Sequence, residues 1–188
     1  MNQVEKYCMI WQTSKKQGGR TVIMILFIEC IVSCLIFGAA IIGSVLLNKE
    51  SWLHEYAPEV QQRYLEKNPQ YKSENKTKPT AALIIAKVIV SIVFAVLLSG
   101  FAYIAGARSF VMGFLYSYII WFIVNLFDVI VLDIWILAHW KKARLPGTED
   151  MDEAYASNKG KSIRDGLYGL LIGIPVSCLC GLLIMLVS

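Results

Sequence analysis

The stretch NLFDVIVLDIWILAHW, residues 125–140, sets Asp128, Asp133 and His139 in the most apolar part of the chain. Carboxylates and imidazoles are the groups that move protons or hold a divalent cation, and hydrocarbon is a poor solvent for a charged carboxylate. On a regular helix of about 100° per residue, Tyr118, Trp121, Asn125, Trp135 and His139 all fall within roughly 80° of Asp128. Asp133 falls roughly 140° round the same helix. A regular helix therefore cannot easily present both aspartates to one small metal ion, and each needs its own partner. Lys87, on the preceding apolar run and at a similar depth, is the ion-pair candidate for one of them. Glu29 is a second intramembrane charge, nearer the opposite side.

These residues admit three kinds of chemistry. The first is an interfacial ion pair that orients the helix, assisted by headgroup contacts. The second is a polar cavity lined by Tyr118, Asn125, Asp128 and His139, able to carry a proton, an ion or a small polar solute. The third is a metal site on Asp128, His139 and acids of the following GTEDMDE segment, Glu149 first among them, acting on a lipid or isoprenoid headgroup. The chain has no HExxH pair, Walker lysine loop or serine nucleophile elbow. A paired-aspartate phosphatidyl-transfer motif is also missing. No catalytic residue is assigned. The expectation leans to a non-enzymatic role that is transport-like, accessory or regulatory, without a cofactor; a divalent metal is the alternative.

The elements that must position these groups follow from composition. The chain has 188 residues, of which 56% are hydrophobic and only 17% charged, and its apolar residues run in long blocks. A bilayer core takes about 20 apolar helical residues to cross. Four stretches reach that length, at about 22–47, 80–106, 109–138 and 166–187. Backbone groups in lipid must be satisfied within the segment, so such runs are helices. The expected architecture is all-α: a single integral membrane domain, a four-helix transmembrane bundle whose two longer loops, 48–79 and 139–165, lie on one side. Span three, at 1.5 Å per residue, is about 45 Å long against about 30 Å of hydrocarbon. This overhang puts Asp128 at the membrane edge and Asp133 and His139 at headgroup level, with Trp135 and Trp140 as an aromatic belt.

Smaller features refine the layout. The N-terminal segment does not read as a cleavable signal peptide, because its first twenty residues are mostly polar. Pro58 at the first turn and Glu59 beside it predict a short helix to Lys67 that Asn68-Pro69 stops. Pro146-Gly147 predicts a turn, and Thr148 the cap of a short helix with Glu149 and Asp150 in its first turn. Ser91, Ala95 and Ser99 form one small-residue stripe, and Gly166, Gly169 and Gly173 another. Such stripes serve close helix packing within the bundle or a homodimer face. Cys30, Cys34, Cys178 and Cys180 lie in spans, either as small hydrophobes or as a thiol or metal cluster, and Cys8 stands apart.

Twelve Lys and Arg residues flank the loop side and five the other. The positive-inside rule then favours cytoplasmic loops, although KKQGGR before span one is more basic than the NKE after it. The expected partners are the lipid bilayer and a second copy or another membrane protein, with no nucleic acid. The Asn75-Lys76-Thr77 sequon matters only in a eukaryotic secretory pathway.

Two segments also carry a resemblance. Asn125, Phe127, Asp128 and Asp133 in an N-x-F-D-x-x-V-x-D run, with Pro146, Gly147, Thr148, Glu149 and Tyr155 after it, resemble a group of small four-span bacterial membrane proteins of unknown function. YAPEVQQR, with Tyr56, Pro58, Val60 and Gln61, resembles that group's segment after span one. The resemblance covers most of the chain in span order. It implies a bacterial cytoplasmic membrane and a shared four-helix layout, and it implies no reaction.

Overall fold

The computed structural model describes the backbone of residues 3–71 and 81–188 and the side chains of residues 21–71 and 91–188. The expected partner Lys87, the sequon at Asn75 and Cys8 therefore lie outside the described side chains. Every regular element among the described residues is helical. Helix α1 spans Gln3–Leu47, α2 Pro58–Lys67, α3 Ala81–Ile104, α4 Phe110–Phe127, α5 Asp152–Ser157 and α6 Lys159–Val187. Three stretches are long and apolar enough to cross a membrane: Thr21–Leu47, Phe110–Leu137 and Asp152–Val187. Helix α3 has 24 residues. The helices turn their apolar side chains outward, with Ile23, Met24, Phe27, Leu35 and Ile104 all exposed. Water tolerates no apolar surface of this extent; lipid does.

Helix α4 is the centre of the bundle. It packs on α6 most extensively and also on α1 and α3, and α3 lies in turn against α6. Close approach of α4 and α6 depends on missing side chains. A Cβ at Gly166, Gly169 or Gly173 would run into Val129, the Asn125 amide or the Trp121 ring, respectively. The glycine stripe thus packs within the chain. On α3, Ala95 and Ser99 are buried while Ser91 is exposed, so that stripe packs over only part of its length. The Ala95 carbonyl accepts hydrogen bonds from Ser99 Oγ at 2.7 Å and from Cys180 Sγ of α6 at 3.2 Å. Cys30 and Cys180 are core residues, and among the described residues no cysteine cluster could hold a metal.

The α3–α4 connection is tight. Gly106 takes a φ of +97°, and Arg108 donates to the carbonyls of Tyr103 and Ala107 while lying 3.8 Å from the centre of the Tyr103 ring. The Tyr103 carbonyl also accepts from the Gly106 amide, so the turn is tied to the last residues of α3. Ser109 then caps α4 through the amide of Met112.

At the other end of the bundle the two loops fold together. Helix α2 has the bounds that Pro58 and Asn68 predict, and it buries Val60 and Tyr64. They join Leu53, Tyr56, Ala57, Leu145 and Tyr155 in a second core, separate from that of the bundle. Burying one Val or Leu side chain is worth about 1.5–3 kcal/mol, so this core is large enough to hold a cap in one shape. Both loops therefore lie at the same end of the helices.

Candidate functional site

Helix α4 does not continue as a regular helix. At Asp128 its bonding changes to a π-helix that runs to Leu137. In a π-helix each amide reaches back five residues instead of four, and such segments are rare, usually one turn long, and often found where function is. A wheel of 100° per residue stops applying at Asp128. Asp133 follows by one i→i+5 step and comes round toward it, and the two charges act on each other. The expected 140° separation is replaced by neighbouring positions one turn apart.

The two carboxylates nonetheless open into different spaces. Asp128 lies at one end of a cavity of about 280 Å³ between α1, α3 and α4, together with Ser33, Phe37, Phe94, Trp121 and Asn125. Trp121 is held in place: its Nε1 donates to the Gly169 carbonyl at 2.9 Å, and Phe94 meets it edge to face with ring centres 6.2 Å apart. Asn125 fits against Gly169 on the far side. Asp133 faces the cap instead. It lines a pocket of about 20 Å³ with Glu55, Tyr56, Tyr155, Asn158 and Ser162, room for about one water molecule.

The cap supplies the charges around that pocket. Lys161 Nζ lies 2.7 Å from Glu55 Oε2 and 3.2 Å from Asp165 Oδ2, and Lys161, Glu55, Asp165 and Asp128 all act on Asp133. Hydrogen bonding to His54 and the nearby Lys161 ammonium hold the Glu55 carboxyl down at about 2, despite its partial burial. Asn158 Nδ2 donates to the Glu55 carbonyl at 2.6 Å and anchors that corner to the start of α6. Burial pushes the Tyr56 hydroxyl up, which keeps it a donor, and it bonds the Ala143 carbonyl at 2.7 Å.

The rest of the cap is a polar network in which the buried Arg144 Nε is left without a hydrogen-bond partner. Tyr155 Oη accepts from the Leu145 amide at 3.0 Å and lies 2.8 Å from Thr148 Oγ1, which donates to the Leu145 carbonyl. Thr148 is therefore buried glue and caps nothing; α5 starts at Asp152, with no side-chain cap. Its hydroxyl satisfies the turn of its own segment. Buried Arg144 donates to the Glu149 carbonyl at 2.6 Å, pairs with Asp152 and stands 5.0 Å from the centre of the Tyr155 ring. Gly147 has a φ of +80°, a left-handed turn suited to glycine, and its carbonyl accepts from Lys67 at 2.7 Å.

Other expected site residues lie elsewhere. Tyr118 stacks on Phe114, which stacks on Phe110, and it does not line the Asp128 cavity. His139 is exposed, its Nδ1 lies 2.9 Å from the Trp135 carbonyl, and with Trp135, Trp140 and Ile42 it borders an apolar groove on the outside. The Glu149 side chain is exposed on the cap. The metal set of Asp128, His139 and Glu149 is thus not brought together, and no group of three acidic, histidine or cysteine side chains among the described residues could hold an ion. A residue's helical angle does not say which neighbour covers it, so His139 and Tyr118 share the side of Asp128 on the wheel without lining its cavity.

Glu29 has a partner the sequence did not indicate. Tyr116 of α4 donates to its Oε2 at 2.6 Å. Tyr116 precedes Asp128 by twelve residues, about 18 Å along a helix, so the two intramembrane acids mark separate levels of the bundle. A buried tyrosine on an apolar helix facing the only acid of α1's apolar run was the available signal. Comparison with protein-family models, with curated proteins and with solved structures finds no match to this chain.

Proposed function

We propose that this chain is a four-span protein of a bacterial cytoplasmic membrane that passes protons between its cap and the cavity inside its bundle. The carrying observation is the π-helical step from Asp128 to Asp133, with one carboxylate in each of two spaces. Carboxylates exchange protons readily with a water or a neighbour within hydrogen-bond reach, and the Asp133 pocket takes a water and little else. Intramembrane acids that face a bundle interior mark such routes. The apolar outer surface and the 24-residue length of α3 support a fourth crossing. The twelve cations of the loop side support a cytoplasmic cap.

The test is proton flux into proteoliposomes under an imposed membrane potential, read with an enclosed pH dye. The wild-type chain is expected to exceed protein-free vesicles, and Asp128→Asn to fall at least tenfold toward them. Equal flux from wild type and Asp128→Asn overturns the reading.

A further inference from the structure

Proton passage leaves the larger space unexplained, since about 280 Å³ is far more than a proton or a water needs. We propose that this cavity binds an organic cation, an amine or quaternary ammonium with a small apolar body, against Asp128. The inference rests on the proton-route reading and names what else occupies that route.

The chemistry of the walls selects among solutes. Asp128 is the one charged group among the described lining residues, and no described group bonds or pairs with its carboxylate. An anion would meet that charge, and no described lining residue offsets it. A bare divalent ion needs six or more oxygen ligands or retained waters, and the lining offers one carboxylate, the Asn125 amide and serine hydroxyls amid apolar groups. A cation that spreads its charge over carbon needs no such shell. The faces of aromatic rings attract such ions, and Phe37, Phe94 and Trp121 line the same space. Trp121 is preorganised by its bond to Gly169 and by the close approach of Gly173, so ligand binding does not have to order it. The volume lies just below the usual range of small-molecule sites and fits a single ring with a small head.

The experiment is equilibrium calorimetry on the purified full chain in an uncharged detergent. The probes are benzyltrimethylammonium and phenylmethanesulfonate, an anion of similar size. The cation is expected to bind and the anion not. Asp128→Asn should weaken the cation at least tenfold, Asp128→Glu by threefold or less, and Phe94→Leu at least threefold; Glu149→Gln, exposed on the cap, should leave it within twofold. If Asp128→Asn does not fold, Asp128→Glu and Phe94→Leu decide. Equal binding of cation and anion, or cation binding unchanged in Asp128→Asn or Phe94→Leu, overturns the proposal. The readout needs no flux: proton flux without cation binding sinks this inference alone, and cation binding without flux sinks the proton route alone.

Discussion

The cap closes its polar groups on one another, while the bundle, which pairs Glu29 with Tyr116, turns Asp128 toward a cavity. In the cap almost every buried polar group closes on another: Tyr56 on Ala143, Tyr155 on Leu145 and Thr148, Arg144 on Glu149. In the bundle, Asp128 instead ends a cavity, and the walls around it are fixed by glycines that let α6 press on Trp121 and Asn125. A satisfied network specifies a shape; a polar group left facing space is available for a ligand or a proton. On the proposed reading the cap holds a shape and the bundle carries the proton route, with the π-helical turn from Asp128 as the joint between them.

The comparison breaks most visibly where packing is closest. Gly169→Leu should cost about 3 kcal/mol, because even its Cβ falls within the Asn125 amide. Thermal unfolding checks this, with Gly100→Ala as the control: nothing lies within 4 Å of a Cβ there, and the change should be neutral or stabilising. A bundle that accepts Gly169→Leu without loss would deny that α6 positions the cavity wall.

The next effect is confined to the cap. Tyr155→Phe leaves the Leu145 amide without its partner and removes the hydroxyl beside Thr148, at a cost of about 1–3 kcal/mol. Limited proteolysis should show faster cutting in residues 48–71 while the bundle helices stay protected. Loss of helix protection throughout would mean that cap and bundle do not differ as described.

The smallest effect is a pH response. The Glu55 carboxyl is held down at about 2 in the folded chain, against an ordinary value of 4.5. A lowered acid contributes stability that is present in full above the unfolded value and is lost as pH falls through the folded one. Cap stability should therefore hold down to pH about 4.5 and decline between there and about 2. Glu55→Gln should remove that part of the slope. An unchanged slope in Glu55→Gln would place the acid sensitivity elsewhere.

Much of this architecture was legible in the sequence. The long apolar blocks announced the three helices long and apolar enough to cross a membrane, because hydrocarbon thickness fixes helix length, and Pro58 with Asn68 marked both ends of α2. Asp128 was singled out because a carboxylate in an apolar run is conspicuous. The rest depended on contacts that local pattern does not encode. Tyr56 meets Ala143 and Tyr116 meets Glu29 across 87 residues each, and nothing in either segment's periodicity names the other. The π-helix defeated the wheel outright, since residues 128–137 have the composition of any buried helix. Tyr56, Val60, Gly147, Thr148 and Tyr155 build the cap.

The most direct test of that division is a double-mutant cycle on proton flux through Asp128 and Asp133. Asp128→Asn, Asp133→Asn and the double variant are reconstituted at equal density, after confirming that all three unfold at the wild-type temperature. Groups that act in series are non-additive, so the double variant should lose no more flux than the more impaired single. Losses that multiply in the double variant would show two independent routes and contradict the joint between cap and bundle.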